Sequence, residues 1–148
     1  MYKRILIATD GSELALDGVE QGVALAAALK AEVAIMTVTE PLADGFYDPP
    51  GWPALYASLE EYRNSREGAA QERLAPALEI AQRAGVPAST HHVPDRYAAE
   101  GIVETAEAQG ADLIVMASHG RRGLGRLLLG SQTQQVLTHS KIPVLVVR

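Results

Sequence analysis

Continuous apolar runs separated by helical segments predict a doubly wound α/β domain, Rossmann-like, with a five-stranded parallel sheet and helices on both faces. Three observations carry this. Runs such as RILIA, EVAIMTV and DLIVMA are nearly continuous apolar stretches rather than alternately polar ones, as strands buried on both faces are. Between successive runs lie segments whose apolar residues recur at helical spacing. Turn-forming stretches such as TDGS and SHGRRG mark the passage from strand to helix. Right-handed crossovers then place the second and third strands on one side of the first, and the fourth and fifth on the other, in order 3-2-1-4-5.

The elements follow in order. Residues 4–10, RILIATD, form the first strand. Ser12 is the expected cap of a helix whose Ala15, Val19, Gly22, Val23, Ala26 and Leu29 share one face. EVAIMTV, 32–38, is the second strand. The loop 40–56 is rich in Pro, Gly and Asp, and its Phe46, Tyr47 and Trp52 read either as a lid over a ligand or as an ordinary hydrophobic flap. A helix is expected over 57–84, stopped by Gly85 and kinked or broken near Glu72, because Pro76 removes a backbone bond and clashes one turn back. Residues 86–93 give a weaker third strand; 97–109 give a helix with Ile102, Val103 and Ala106 inward and Gly110 at its end. DLIVMA, 112–117, is the strongest strand, and a last helix beginning at Ser131 precedes PVLVV, 143–147.

Composition narrows the functional classes. At 148 residues and 47% hydrophobic content, one domain over 1–148 would bury roughly 70% of its unfolded surface. Thirteen Lys and Arg against 18 Asp and Glu give a net charge of -5, which argues against a broad nucleic-acid footprint. The absence of Cys excludes disulfides, thiolate catalysis and zinc-thiolate sites. The initial apolar run is soon interrupted by Asp10, unlike a secretory signal, and no apolar span of about 18 residues occurs, so a cytoplasmic protein without membrane partners is expected.

Ligands of such sheets bind outside the carboxyl ends of the strands flanking the reversal in strand order, between the first and fourth strands. Asp10 to Ser12 and Ala117 to Gly120 lie there. Glycines at 120, 123, 125 and 130 permit close backbone approach, and Ser131 begins a helix whose N-terminal amides suit an anion. The simpler reading is that the glycines form a turn and Ser131 caps a helix; the joint arrangement at the crevice favours phosphate. Two familiar phosphate motifs fail. Gly125 to Gly130 has Walker A spacing, yet Ser131 follows where that motif needs Lys. The dinucleotide pattern G-x-G-x-x-G fails in spacing and follows the fourth strand rather than the first.

VMASHGRRGLGRLLLGSQTQQVLTHSKIPVLVVR, with ILIATDGSELA at the start, resembles the universal stress protein family over essentially the whole chain. Family members that bind ATP carry G-x2-G-x9-G-S/T; Gly120, Gly130 and Ser131 match it, while Ala117 replaces the first glycine. The resemblance implies an adenine nucleotide, ATP or AMP, with Mg²⁺ as a candidate companion. It implies that Thr9 and Asp10 meet the nucleoside, and that the backbone of Val38 reads the adenine edge. Gly120, Gly130, Ser131 and Gln132 would hold the phosphates, with Ala117, Gly123 and Thr133 counted in the same nucleotide site; His119 either contacts the phosphates or is simply solvated. Arg121, Arg122 and Arg126 either add charge there or solvate a surface loop.

Other candidates carry less. Asp10 is a possible Mg²⁺ ligand or base, or it only orders the following turn. His91 and His92 are adjacent on a strand, so they point to opposite faces and cannot share a metal. His139 complements the dipole of the last helix. The apolar strand 143–147 falls at a sheet edge and would be buried by pairing with a two-fold mate, and the resemblance also implies a homodimer. Three functional classes remain: a nucleotide-binding regulatory or stress-response protein, a slow ATPase or phosphotransferase, and a nucleotide-free interaction module. The second lacks a lysine, paired carboxylates or a defined base.

Overall fold

The computed structural model describes residues 1–41, 52–119 and 129–148, with side chains from residue 59 onward in the second of these stretches. The strands are β1 (Arg4–Ala8), β2 (Glu32–Thr39), β3 (Ala88–Pro94), β4 (Leu113–Ala117) and β5 (Val144–Val147). The helices are α1 (Glu13–Leu29), α2 (Trp52–Arg83), α3 (Ala98–Ala108) and α4 (Ser131–His139). All strand pairs are parallel, and the sheet order is β3-β2-β1-β4-β5, as the crossover rule requires.

Alternation along the strands divides the core into two layers. Ile5, Ile7, Val33, Ile35 and Val115 point to the face covered by α1 and α2, meeting Val19, Val23 and Leu74. Leu6, Met36 and Ile114 point the other way, against Ile102 of α3 and Val136 of α4. Continuous apolar runs were therefore needed because both faces are covered. Asp112 fixes the amino end of the sheet, its carboxylate accepting the amides of Lys3 at 2.8 Å and Arg4 at 3.1 Å.

Local signals set the helix ends. The Ser12 side chain accepts the Ala15 amide at 3.3 Å, capping α1. Gly110 has φ 62°, and its amide and that of Ala111 turn back to the carbonyls of Glu107 and Ala106, closing α3.

Helix α2 departs from expectation at its start and at Pro76. It begins at Trp52 rather than near 57 and continues through Pro76 without a break. Proline forfeits one backbone bond, but Leu74, Ala77 and Ala81 on either side are buried against the sheet, and that packing holds the flanking turns in line. Strand β3 starts two residues later than expected, because the Val86 amide completes the α2 stop by bonding the Ala81 carbonyl. Among the described residues, no helix is long and apolar enough to cross a membrane. Strand β5 closes one side of the sheet, where Leu145 and, on α4, Leu137 are exposed.

One core polar atom stands out among the described residues: the Thr37 hydroxyl is buried without a hydrogen-bond partner. A stranded hydroxyl costs free energy that an isosteric methyl does not. Thr37→Val is therefore expected to be neutral or to stabilise by about 1 kcal/mol in urea unfolding; a clear loss of stability would reveal an unseen partner.

Candidate functional site

Because every strand runs the same way, the carboxyl ends of β1, β2 and β4 open onto one cleft of about 650 Å³. It lies at the reversal in strand order, where β1 separates chain segments that wind in opposite directions. Thr9, Asp10, Val38, Ala117, His119, Gly130, Ser131, Gln132 and Thr133 all line it. The structure thus gathers around one space every proposed site residue that it describes. Gly120, Arg121, Arg122 and Gly123 lie outside the described residues, as do Gly125, Arg126, Phe46, Tyr47 and the Trp52 side chain.

The individual bonds separate residues that build the site from those that open into it. Asp10 accepts the Ser12 amide at 3.0 Å, and the Thr9 hydroxyl accepts the Gly11 amide at 3.2 Å, so both shape the turn into α1. The Thr133 hydroxyl is engaged within the chain. It donates to the carbonyls of Ala117 at 3.2 Å and Ser118 at 3.1 Å, riveting α4 to the end of β4. Gln132 links two helices: its side-chain oxygen accepts the Ala99 amide at 3.0 Å, in place of the cap that Tyr97 does not provide.

Gly130 allows α4 to approach β4 closely. Its amide donates to the Ser118 carbonyl at 2.9 Å, and a Cβ there would stand 3.0 Å from the same oxygen. As N-cap it also offers no side-chain oxygen to the first turn of α4. The amides of that turn, together with the exposed Ser131, are left to the cleft. Alternation puts the Ala117 side chain on the α1 face with Val115, opposite the face packed against α4. His119 holds its Nδ1 3.0 Å from the Ser118 hydroxyl.

Sequence reasoning missed the opposite wall. Tyr62, Arg66, Ala69 and Arg73 of α2 recur at helical spacing and line the cleft. The Arg66 guanidinium lies 5.1 Å from the Tyr62 ring centroid, donates to the Glu40 carbonyl and sits 3.8 Å from Asp95. That spacing was readable, but the mixed polarity of α2 concealed which face turns inward. A second missed group stands behind this wall. His92 bonds Glu67 through Nδ1 and the Thr39 hydroxyl through Nε2, the latter at 2.9 Å, and Thr39 also lines the cleft. The hydrogen bonds from Gln71 and then His92 hold the Glu67 carboxyl below its usual range. His91 instead meets Ser89 at 3.0 Å, and His139 meets the Gln135 carbonyl at 2.8 Å. Among the described residues, no group of three or more His, Asp or Glu side chains could hold a metal ion.

The sequence model of the universal stress protein family matches residues 1–148. The chain belongs to the universal stress protein family. A universal stress protein of Methanocaldococcus jannaschii is 37% identical over 149 residues, covering 100% of this chain and 83% of that protein. One from Thermus aquaticus is 34% identical over 148 residues, with 100% of both covered. Among solved structures, that of the hypothetical protein MJ0577 superposes with a TM-score of 0.82 at 30% identity, covering 99% of this chain and 96% of that one. A universal stress protein in complex with cAMP gives a TM-score of 0.68 at 28% identity, with 99% and 97% covered.

The double role of the Thr133 hydroxyl makes it the sharpest test of how this universal stress protein supports the cleft. Thr133→Val is expected to cost about 1–2 kcal/mol in urea unfolding, because the Ala117 carbonyl loses this hydroxyl donor and the Ser118 carbonyl is left with the Gly130 amide. A cost near zero would mean that the α4 anchorage lies elsewhere.

Proposed function

We propose that this universal stress protein binds an adenine nucleotide, ATP or AMP, in the cleft and acts as a nucleotide-linked regulator. The observation that carries the reading is the uncapped first turn of α4, with Gly130, Ser131 and Gln132, at the crevice between β1 and β4. Such a turn favours phosphate through its amides and its partial positive charge. The similar protein bound to cAMP supports an adenine nucleotide as occupant. In this reading Asp10 and Thr9 meet the nucleoside, Val38 reads the base edge and the α4 end takes the phosphates. Mg²⁺ would arrive with the phosphates, with Asp10 as the carboxylate nearest the β1 end.

Calorimetric titration with ATP, ADP, AMP and GTP, with and without Mg²⁺, tests this after copurified nucleotide is removed. Micromolar binding that prefers adenine and strengthens with phosphate number is expected. No binding to the emptied protein would overturn the reading and favour an interaction module. In a folded Gly130→Val variant, the added side chain would crowd the Ser118 carbonyl and the phosphate approach, so ATP affinity should fall by at least about ten-fold.

Helix α2 supplies the cation that a Walker lysine supplies elsewhere. Arg73 lines the cleft and also a smaller adjoining pocket beside Gly11, near the turn into α1. Arg73→Gln is expected to weaken ATP by roughly ten-fold while leaving adenosine affinity nearly unchanged. Equal losses for both ligands would place Arg73 away from the phosphates.

A regulator needs a surface that changes with occupancy. We propose the edge of β5, with exposed Leu145 and neighbouring Leu137, as a two-fold dimer interface. Light scattering at micromolar concentration should give twice the chain mass, and Leu145→Asp should return the monomer. Slow ATP hydrolysis is the second reading, favoured by Asp10 at the β1 end; turnover above background that Asp10→Ala abolishes would establish it.

A further inference from the structure

We infer that Thr39 selects a purine bearing an exocyclic amino group at position 6, with His92 and Glu67 as positioning residues that fix the direction of its hydroxyl. The inference rests on the cleft being a purine-nucleotide site, and it adds a determinant on the side of the cleft away from the phosphates.

One chain of bonds runs from Gln71 through Glu67 and His92 to Thr39. The Glu67 carboxylate accepts Gln71 Nε2 at 2.9 Å through Oε1 and meets His92 Nδ1 through Oε2. Both bonds hold the carboxyl in its ionised form, which can only accept. His92 Nδ1 must therefore carry a hydrogen. A neutral imidazole has one N–H, so Nε2 presents a lone pair. Nε2 lies 2.9 Å from Thr39 Oγ1, and only the Thr39 O–H can donate across that gap. The Thr39 hydrogen is thereby committed.

What remains on Thr39 is an acceptor. Thr39 lines the cleft next to Val38 and Glu40 at the carboxyl end of β2, the end to which the proposed function assigns the base. The His92 side chain is only 8% exposed, so water has little room to compete for Nε2 and release the hydroxyl. A 6-amino group donates to such an acceptor. A 6-oxo group brings lone pairs against lone pairs, and a site built around a fixed hydrogen-bonding polarity rejects the wrong partner more strongly than shape alone does. The same three residues also tie α2 to β2 and β3, so a structural role exists in any case; base preference separates the two.

The experiment compares ATP with ITP, which carries the same phosphates and a 6-oxo group, and with purine riboside triphosphate, which lacks any 6-substituent. All titrations are run at one mildly alkaline pH, so that ligands and variants are compared under the same conditions. Wild type should bind ATP best. In Thr39→Val the preference for ATP over ITP should shrink by about ten-fold, whereas Thr39→Ser, which keeps the hydroxyl, should retain it. Glu67 is exposed enough that Glu67→Gln should fold, and its amide no longer dictates the tautomer, so the ATP to ITP ratio should fall there too. An ATP to ITP ratio in Thr39→Val equal to that of wild type overturns the inference; should that variant fail to fold, an unchanged ratio in Glu67→Gln overturns it instead. Failure of wild type to bind any of the three triphosphates would instead remove the nucleotide reading itself.

Discussion

The all-parallel sheet is the constraint on which everything else depends. If every strand runs in one direction, every strand ends on one edge, and the helices that follow begin there. Carbonyl ends of β1, β2 and β4 and the amide ends of α1, α3 and α4 are thus brought to the same rim. The reversal of winding at β1 leaves a crevice in that rim that no helix fills. The cleft itself comes from direction and handedness rather than from an exceptional residue. What the particular residues add is support, as where Thr133 holds α4 against β4 and Gln132 holds α3 to α4.

Much of this was legible in the chain because the relevant signals are local. Strands buried on both faces must be apolar throughout, so their order and direction followed from run lengths and crossover handedness. The Ser12 cap and the Gly110 stop are turn chemistry that two or three residues specify. The rim residues from Thr9 to Thr133 could be named because strand ends and helix starts are themselves local. The α2 wall was hidden for the opposite reason. Tyr62, Arg66 and Arg73 reach the cleft only through packing of a long helix of mixed polarity, and their spacing alone does not say which face is inward. The bond from His92 to Thr39 joins residues 53 apart on neighbouring strands, and only the register of β2 against β3 brings them together.

Pro76 shows where a local rule yields. Its cost falls on one backbone bond of α2, while burial of Leu74, Ala77 and Ala81 is spread over two turns of the same helix. Dispersed packing outweighs a single lost bond, so the helix passes through. The later start of β3 reflects a similar competition in which the helix stop claims the Val86 amide.

The two sides of the cleft are made of different materials. On the α4 side the polar groups include main-chain amides beside Ser131 and Gln132, and almost any substitution leaves those amides in place provided that Gly130 keeps its close approach. On the α2 side they are side chains, Thr39, Arg66 and Arg73, backed by Glu67 and His92, and each can be exchanged singly by mutation. Substitution therefore reaches the two halves of the cleft unequally. In the proposed reading, recognition of the base can be altered one residue at a time along α2 and the tip of β2 while the helix-end amides stay in place.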